Sequence, residues 1–145
     1  MADTIKFQCD LSTTNPAASL GFEVLLNDKS VFRREHVTES CQITFDIADD
    51  DSAYKLHFVM FGKTADHTKV DDQGNIISDA VLEVCNIQLD DILIDQLLHN
   101  KTEYVHDFNG SQNTTIDKFY GIMGCNGTAT FEFTTPFYLW LLENM

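Results

Sequence analysis

Apolar and polar side chains alternate along most of this chain. Ile5, Phe7, Cys9 and Leu11 are separated by Lys6, Gln8 and Asp10. A period of two places one set on each face of an extended backbone, so this segment predicts a half-buried strand. The same rhythm predicts strands over 22–26 and 30–33, joined as a hairpin by Asn27-Asp28. It returns over 42–47, where Ile43, Phe45 and Ile47 share a face, and from Tyr54 through Leu56, Phe58 and Met60 to Phe61-Gly62. Further strands are predicted over 81–87, 104–108 and 128–133, the last with Ala129, Phe131 and Phe133 on one side.

Between these strands the pattern breaks. Residues 12–18 read as a loop interrupted by Asn15-Pro16. Residues 63–78 are polar and predict a long loop, with room for a small hairpin at Asp72-Gln-Gly-Asn75. Leu89, Ile92 and Leu93 fit helical spacing, while Ile92-Leu93-Ile94 also fits a short strand. A strand over 92–94 followed by a helical turn over 95–99 is the preferred reading. Near the end, Thr135 and Pro136 suit the N-cap and first position of a final helical turn. About eight or nine short strands with almost no helix predict an all-β fold: a two-sheet antiparallel β-sandwich of jelly-roll type with a short C-terminal helical turn.

Composition supports a packed core. The chain has 145 residues, 43% of them hydrophobic, with eleven phenylalanines. That length predicts one domain spanning 1–145. Charge narrows the partners. Twenty-three acidic against nine basic residues give a net charge of −14. Phosphate backbones and anionic lipid surfaces are held by cationic side chains, so nucleic acid and membrane are excluded as expected partners. The start Met-Ala-Asp-Thr-Ile-Lys lacks a basic-then-apolar leader, which predicts synthesis in a reducing cytoplasm. Cys9, Cys41, Cys85 and Cys125 form no C-x-x-C pair, so the common zinc spacings are missing. Cys9 and Cys85 sit in apolar runs and are expected as buried free thiols.

Candidate chemistry is sparse. Asp46, Asp49, Asp50 and Asp51 gather at one strand end, and Asp66, Asp71, Asp72 and Asn75 in the long polar loop. Calcium takes six to eight oxygens from such loops, and the second group is the candidate metal site. Neither group has EF-hand spacing, and a solvated turn is the preferred reading of both. His36, His57, His67, His99 and His106 show no metal-ligand spacing. His57 is expected in solvent or beside an acid, and no Gly-x-Ser-x-Gly elbow is present. Catalytic residues are therefore not assigned. Gly121, Gly124 and Gly127 lack the Lys-Ser/Thr of a phosphate loop and are expected to supply turns. The terminal aromatics suit either a core or an interface; Phe137, Tyr138, Trp140 and Leu141 are the candidate partner-binding residues.

Three runs carry a likeness to a known group: His106-Asp-Phe-Asn-Gly110, Gly121-x-Met-Gly-Cys-Asn-Gly127, and Phe133-Thr-Thr-Pro-Phe-Tyr-Leu-Trp-Leu-Leu-Glu-Asn-Met145. Together they resemble small uncharacterised structural proteins of tailed phages, especially contractile-tailed phages of marine cyanobacteria. The resemblance implies a non-catalytic virion protein (a capsid decoration, neck or tail component), made in the host cytoplasm and located in the virion. Its expected partners are other virion proteins and its own copies, as a homo-oligomer. Phe22-Glu-Val-Leu-Leu-Asn-Asp28 and Gly62-Lys-Thr-x-x-His67 are similar to calcium-dependent xylan-binding carbohydrate modules. That second likeness implies the alternative: a calcium-dependent carbohydrate-binding module with polysaccharide as partner.

Overall fold

The computed structural model describes residues 4–14, 20–62, 68–74, 76–106, 115–119, 121–123 and 126–144. The alternating segments form β1 (Thr4–Thr13), β2 (Leu20–Leu26), β3 (Lys29–Val37), β4 (Cys41–Ala48) and β5 (Ala53–Phe61). A small hairpin follows, β6 (Thr68–Val70) and β7 (Ile76–Asp79), then β8 (Leu82–Leu89), β9 (Ile92–Leu93) and helix α1 (Asp95–Lys101). The chain ends through β10 (Glu103–His106), β11 (Thr115–Lys118), β12 (Ile122–Met123), β13 (Gly127–Thr134) and helix α2 (Phe137–Asn144).

Two antiparallel sheets face each other. One runs β12-β8-β1-β4 with β9 added to β8; the other runs β11-β10-β13-β5-β2-β3. The chain crosses between sheets after β1, β3 and β4 rather than completing one sheet first. This is the expected two-sheet antiparallel sandwich. The alternation explains the core directly. Ile5, Phe7, Cys9 and Leu11 of β1 are buried, as are Tyr54, Leu56, Phe58 and Met60 of β5 and Ala129, Phe131 and Phe133 of β13. Phe58 lies among three other rings, with centroids 6.1 Å from Phe7, 6.2 Å from Phe22 and 5.9 Å from Phe119.

Several expectations change where the backbone interrupts its period. Cys85 is exposed, not buried. In β8 the register with β1 slips between Gln8 and Asp10, so β8 carries an extra residue there. Asn86 takes a φ of 50° at that point. A bulge of this kind resets which face each side chain meets: Val84 and Ile87 are buried while Cys85 and Asn86 are exposed. Cys9 is buried as expected, and burial pushes its thiol far up from the ordinary range.

Strand β3 extends well past the predicted hairpin arm, to Val37. Asn27 opens the β2–β3 turn with a φ of 56°. Gly121 supplies a left-handed turn (φ 87°), whereas Gly127 is the first residue of β13; Gly124 lies outside the described residues. Residues 63–67 of the predicted long loop also lie outside them, and the hairpin expected at 72–75 is present as β6–β7. The strand expected over 104–108 is described as far as His106.

Candidate functional site

The C-terminal helix is seated by its first neighbours. Thr135 does not cap α2 with its hydroxyl. The Thr135 hydroxyl instead accepts a hydrogen bond from the Ser52 N–H at 2.9 Å and donates to the Ser52 carbonyl at 3.2 Å. The Thr135 N–H donates to the same carbonyl at 2.9 Å. The Thr135–Pro136 peptide is cis, and the Pro136 carbonyl accepts from the Trp140 N–H. Pro136 therefore holds the capping position that the sequence suggested for Thr135.

This anchor decides the fate of the four predicted partner-binding residues. Phe137 is fully buried, and Trp140 is 8% exposed. Trp140 stands edge-on to Phe131 (5.4 Å) and stacks on Phe137 (5.8 Å), so both close this chain's own core. Leu141 is half-buried against that core. Tyr138 points outward, 49% exposed, and donates its hydroxyl to Asp90.

Beside α2 lies a groove of about 680 Å³. Its origin is a mismatch in strand length. Strand β13 pairs with β5 from Gly127 to Thr134, but β10 pairs with β13 only from Gly127 to Thr130. The open half-edge of β13 leaves a notch. Trp140, Phe133, Tyr54 and Val105 give it an apolar lining. Glu103, Thr130, Glu132 and Thr134 line it from the sheet, Lys101 from the end of α1, and Asn144 from α2. Lys55 also lines the groove and pairs with Glu132 at 3.6 Å. The Asn144 amide donates to the Trp140 carbonyl at 2.8 Å, which fixes its orientation.

Such a lining offers carboxylate acceptors, ammonium donors, hydroxyls and an amide around an aromatic edge. Simple motif reading missed it because its polar members come from five separate elements. The available signal was the outward set of β13 (Thr130, Glu132 and Thr134), which the alternation predicts.

The predicted metal residues are only partly described. Asp66 and Asn75 lie outside the described residues. Asp71 and Asp72 follow β6, where the Asp71 carboxylate accepts the Gln73 N–H at 2.9 Å and the Asp71 carbonyl accepts the Gly74 N–H. Among the described residues no three His, Cys, Asp or Glu side chains gather in a way that could hold a metal. In the other acidic group, Asp46 to Asp51, Asp50 accepts the Tyr54 hydroxyl at 2.8 Å, and that bond holds the Asp50 carboxyl below the usual range. The described residues therefore assemble no calcium site. His57, expected in solvent or beside an acid, is half-buried and shares a 2.8 Å hydrogen bond with Thr130. His67 lies outside the described residues. Among the described residues no helix is long and apolar enough to cross a membrane.

No family model matches the chain, and no curated protein matches it. Two solved structures are similar in fold. One is described as "Circular permutation provides an evolutionary link between two families of calcium-dependent carbohydrate binding modules. SeMet form of vCBM60". It aligns at a TM-score of 0.50 and 12% identity, covering 88% of this chain and 89% of that one. The other, "vCBM60 in complex with galactobiose", aligns at a TM-score of 0.45 and 12% identity, covering 89% and 97%. At this identity the likeness concerns the fold: the chain shares a β-sandwich with a carbohydrate-binding module.

Proposed function

We propose that this protein is a non-catalytic carbohydrate-binding module that holds a glycan in the notch between β10, β13 and α2. The groove itself carries the reading. A pyranose has an apolar face of C–H groups and a rim of hydroxyls. An aromatic edge can meet the first, while carboxylates, an ammonium group and an amide meet the second. Val105 and the exposed rim of Trp140, with Glu103, Glu132, Lys101 and Asn144, supply that combination around one cavity. The shared sandwich fold of the carbohydrate-binding module supports the same reading. It is the alternative of the sequence analysis, placed ahead of the virion role because the groove and the fold neighbour both favour it.

The test is affinity electrophoresis and calorimetry against soluble xylan, galactan and mannan. Each polysaccharide is tried with added calcium and with chelator. At least one should bind, and Glu103→Gln with Glu132→Gln should weaken it by about tenfold at unchanged melting temperature. Silence from every polysaccharide in both conditions, or binding indifferent to both substitutions, would overturn the proposal. The chelator arm decides separately whether a cation takes part.

A further inference from the structure

Helix α2 has a second face that the groove does not use. Leu139 is 57% exposed and Leu142 73%. With Tyr138 they occupy positions i, i+1 and i+4 of one helix, so the three side chains form a continuous strip. Scattered surface leucines need no explanation, but adjacent ones on a short terminal helix make a patch.

The surroundings of this patch are acidic. On one side, Asp90 receives the Tyr138 hydroxyl and Asp91 follows it in the β8–β9 turn. The two aspartates hold the Tyr138 hydroxyl above its ordinary range. Near the start of the helix, Asp49, Asp50 and Asp51 immediately precede Ser52, which is bonded to Thr135 just ahead of α2. Glu143 adds a carboxylate from the helix, and α2 has no basic residue. Lys6, whose carbonyl accepts the Asp90 N–H, has Asp46 opposite it on β4, and the lysines beside α2, Lys55 and Lys101, line the groove with Trp140 and Asn144.

We propose that the Tyr138–Leu139–Leu142 face docks a basic segment of another protein, one whose apolar side chains are flanked by lysine or arginine. The argument is complementarity of both kinds. The leucines gain by leaving water, and the flanking carboxylates favour a cationic rim on the partner and speed its approach. A second copy of this chain fits less well. It would bring the same acids to a two-fold contact and a further charge of −14. An anionic membrane surface is disfavoured for the same reason.

The test uses a labelled amphipathic peptide of about sixteen residues, with leucines at helical spacing and a lysine rim, and a twin with a glutamate rim. Binding is read by anisotropy, and by the fluorescence of Trp140, the chain's sole tryptophan, on the underside of the same helix. The lysine peptide should bind, weaken with added salt, and lose about tenfold in affinity to the Leu139→Asp, Leu142→Asp double variant. Both positions are exposed, so the variant should melt like the parent. A milder pair, Asp91→Asn with Glu143→Gln, should reduce the salt dependence alone. Equal binding of the two peptides would overturn the proposal, as would equal binding to parent and double variant. So would a concentration-dependent dimer that the double variant abolishes, because the occupant would then be a second copy.

Discussion

The two faces of the C-terminal helix are built from the same kinds of side chain and meet opposite fates. Phe137 and Trp140 complete the core, while Tyr138, Leu139 and Leu142 stand in solvent. Mean greasiness cannot separate them. The separation comes from a point outside the helix, the three hydrogen bonds between Thr135 and Ser52. They fix where the helix starts, and the 100° step per residue then assigns each side chain to a face. An aromatic terminus is thus two surfaces with two roles, and each can be perturbed without the other.

The largest difference should appear on truncation. Phe137→Ala removes a fully buried ring that packs against Phe133 at 5.9 Å and Trp140 at 5.8 Å. It should cost about 3–5 kcal/mol of stability in denaturant titration. Leu142→Ala, at 73% exposure, should stay within about 0.5 kcal/mol. Similar losses at both positions would mean that the two faces are not distinct in solution.

The anchor should come next. Thr135 is 6% exposed, and Thr135→Val keeps its shape but deletes the hydroxyl that serves Ser52. The Ser52 N–H then loses its acceptor, at a cost of about 1–2 kcal/mol. The Trp140 emission should also shift as the helix seat loosens. A stability loss without any change at Trp140 would show that the bonds support the β4–β5 turn and not the helix.

What could be read beforehand follows the same division. The strands of β1, β5 and β13 were legible because each alternates without interruption and each buries one face. Cys85 was misplaced because nothing in the run Val84-Cys85-Asn86-Ile87 marks the extra residue of a bulge; only pairing with β1 reveals it. Thr135-Pro136 resembles a helix start in any window of a few residues. The competing partner, Ser52, is 83 positions away in sequence. The groove was hidden for a related reason. It exists because β10 stops pairing at Thr130 while β13 runs on to Thr134, and relative strand length is a property of the assembled sheet. Asp71 and Asp72 were visible as acids, and in their hairpin the Asp71 carboxylate also holds the turn.

Two tyrosines offer the finest test of inside against outside, because each donates its hydroxyl to an aspartate. Tyr54 is buried against Phe133 at 5.6 Å and donates to Asp50; Tyr138 is exposed and donates to Asp90. Desolvation first, and the Asp50 bond second, push the Tyr54 hydroxyl up from 10 to about 12. A raised folded-state value means that the neutral phenol is favoured by the fold. Its contribution is then complete below the unfolded value near pH 10 and is lost as pH climbs toward 12. Tyr138 is also raised, chiefly by its bond to Asp90, but water screens an exposed pair and leaves little of that shift as stability. Melting temperatures followed from pH 8 to 12 should therefore decline at the alkaline end in the parent. Tyr54→Phe should lessen that decline, the remainder coming from the Cys9 thiol that burial also raises, and Tyr138→Phe should leave it nearly unchanged. If instead Tyr138→Phe flattened the curve, α2 would be held by its outer contact with the β8–β9 turn, and the face assigned to a partner would already be in use.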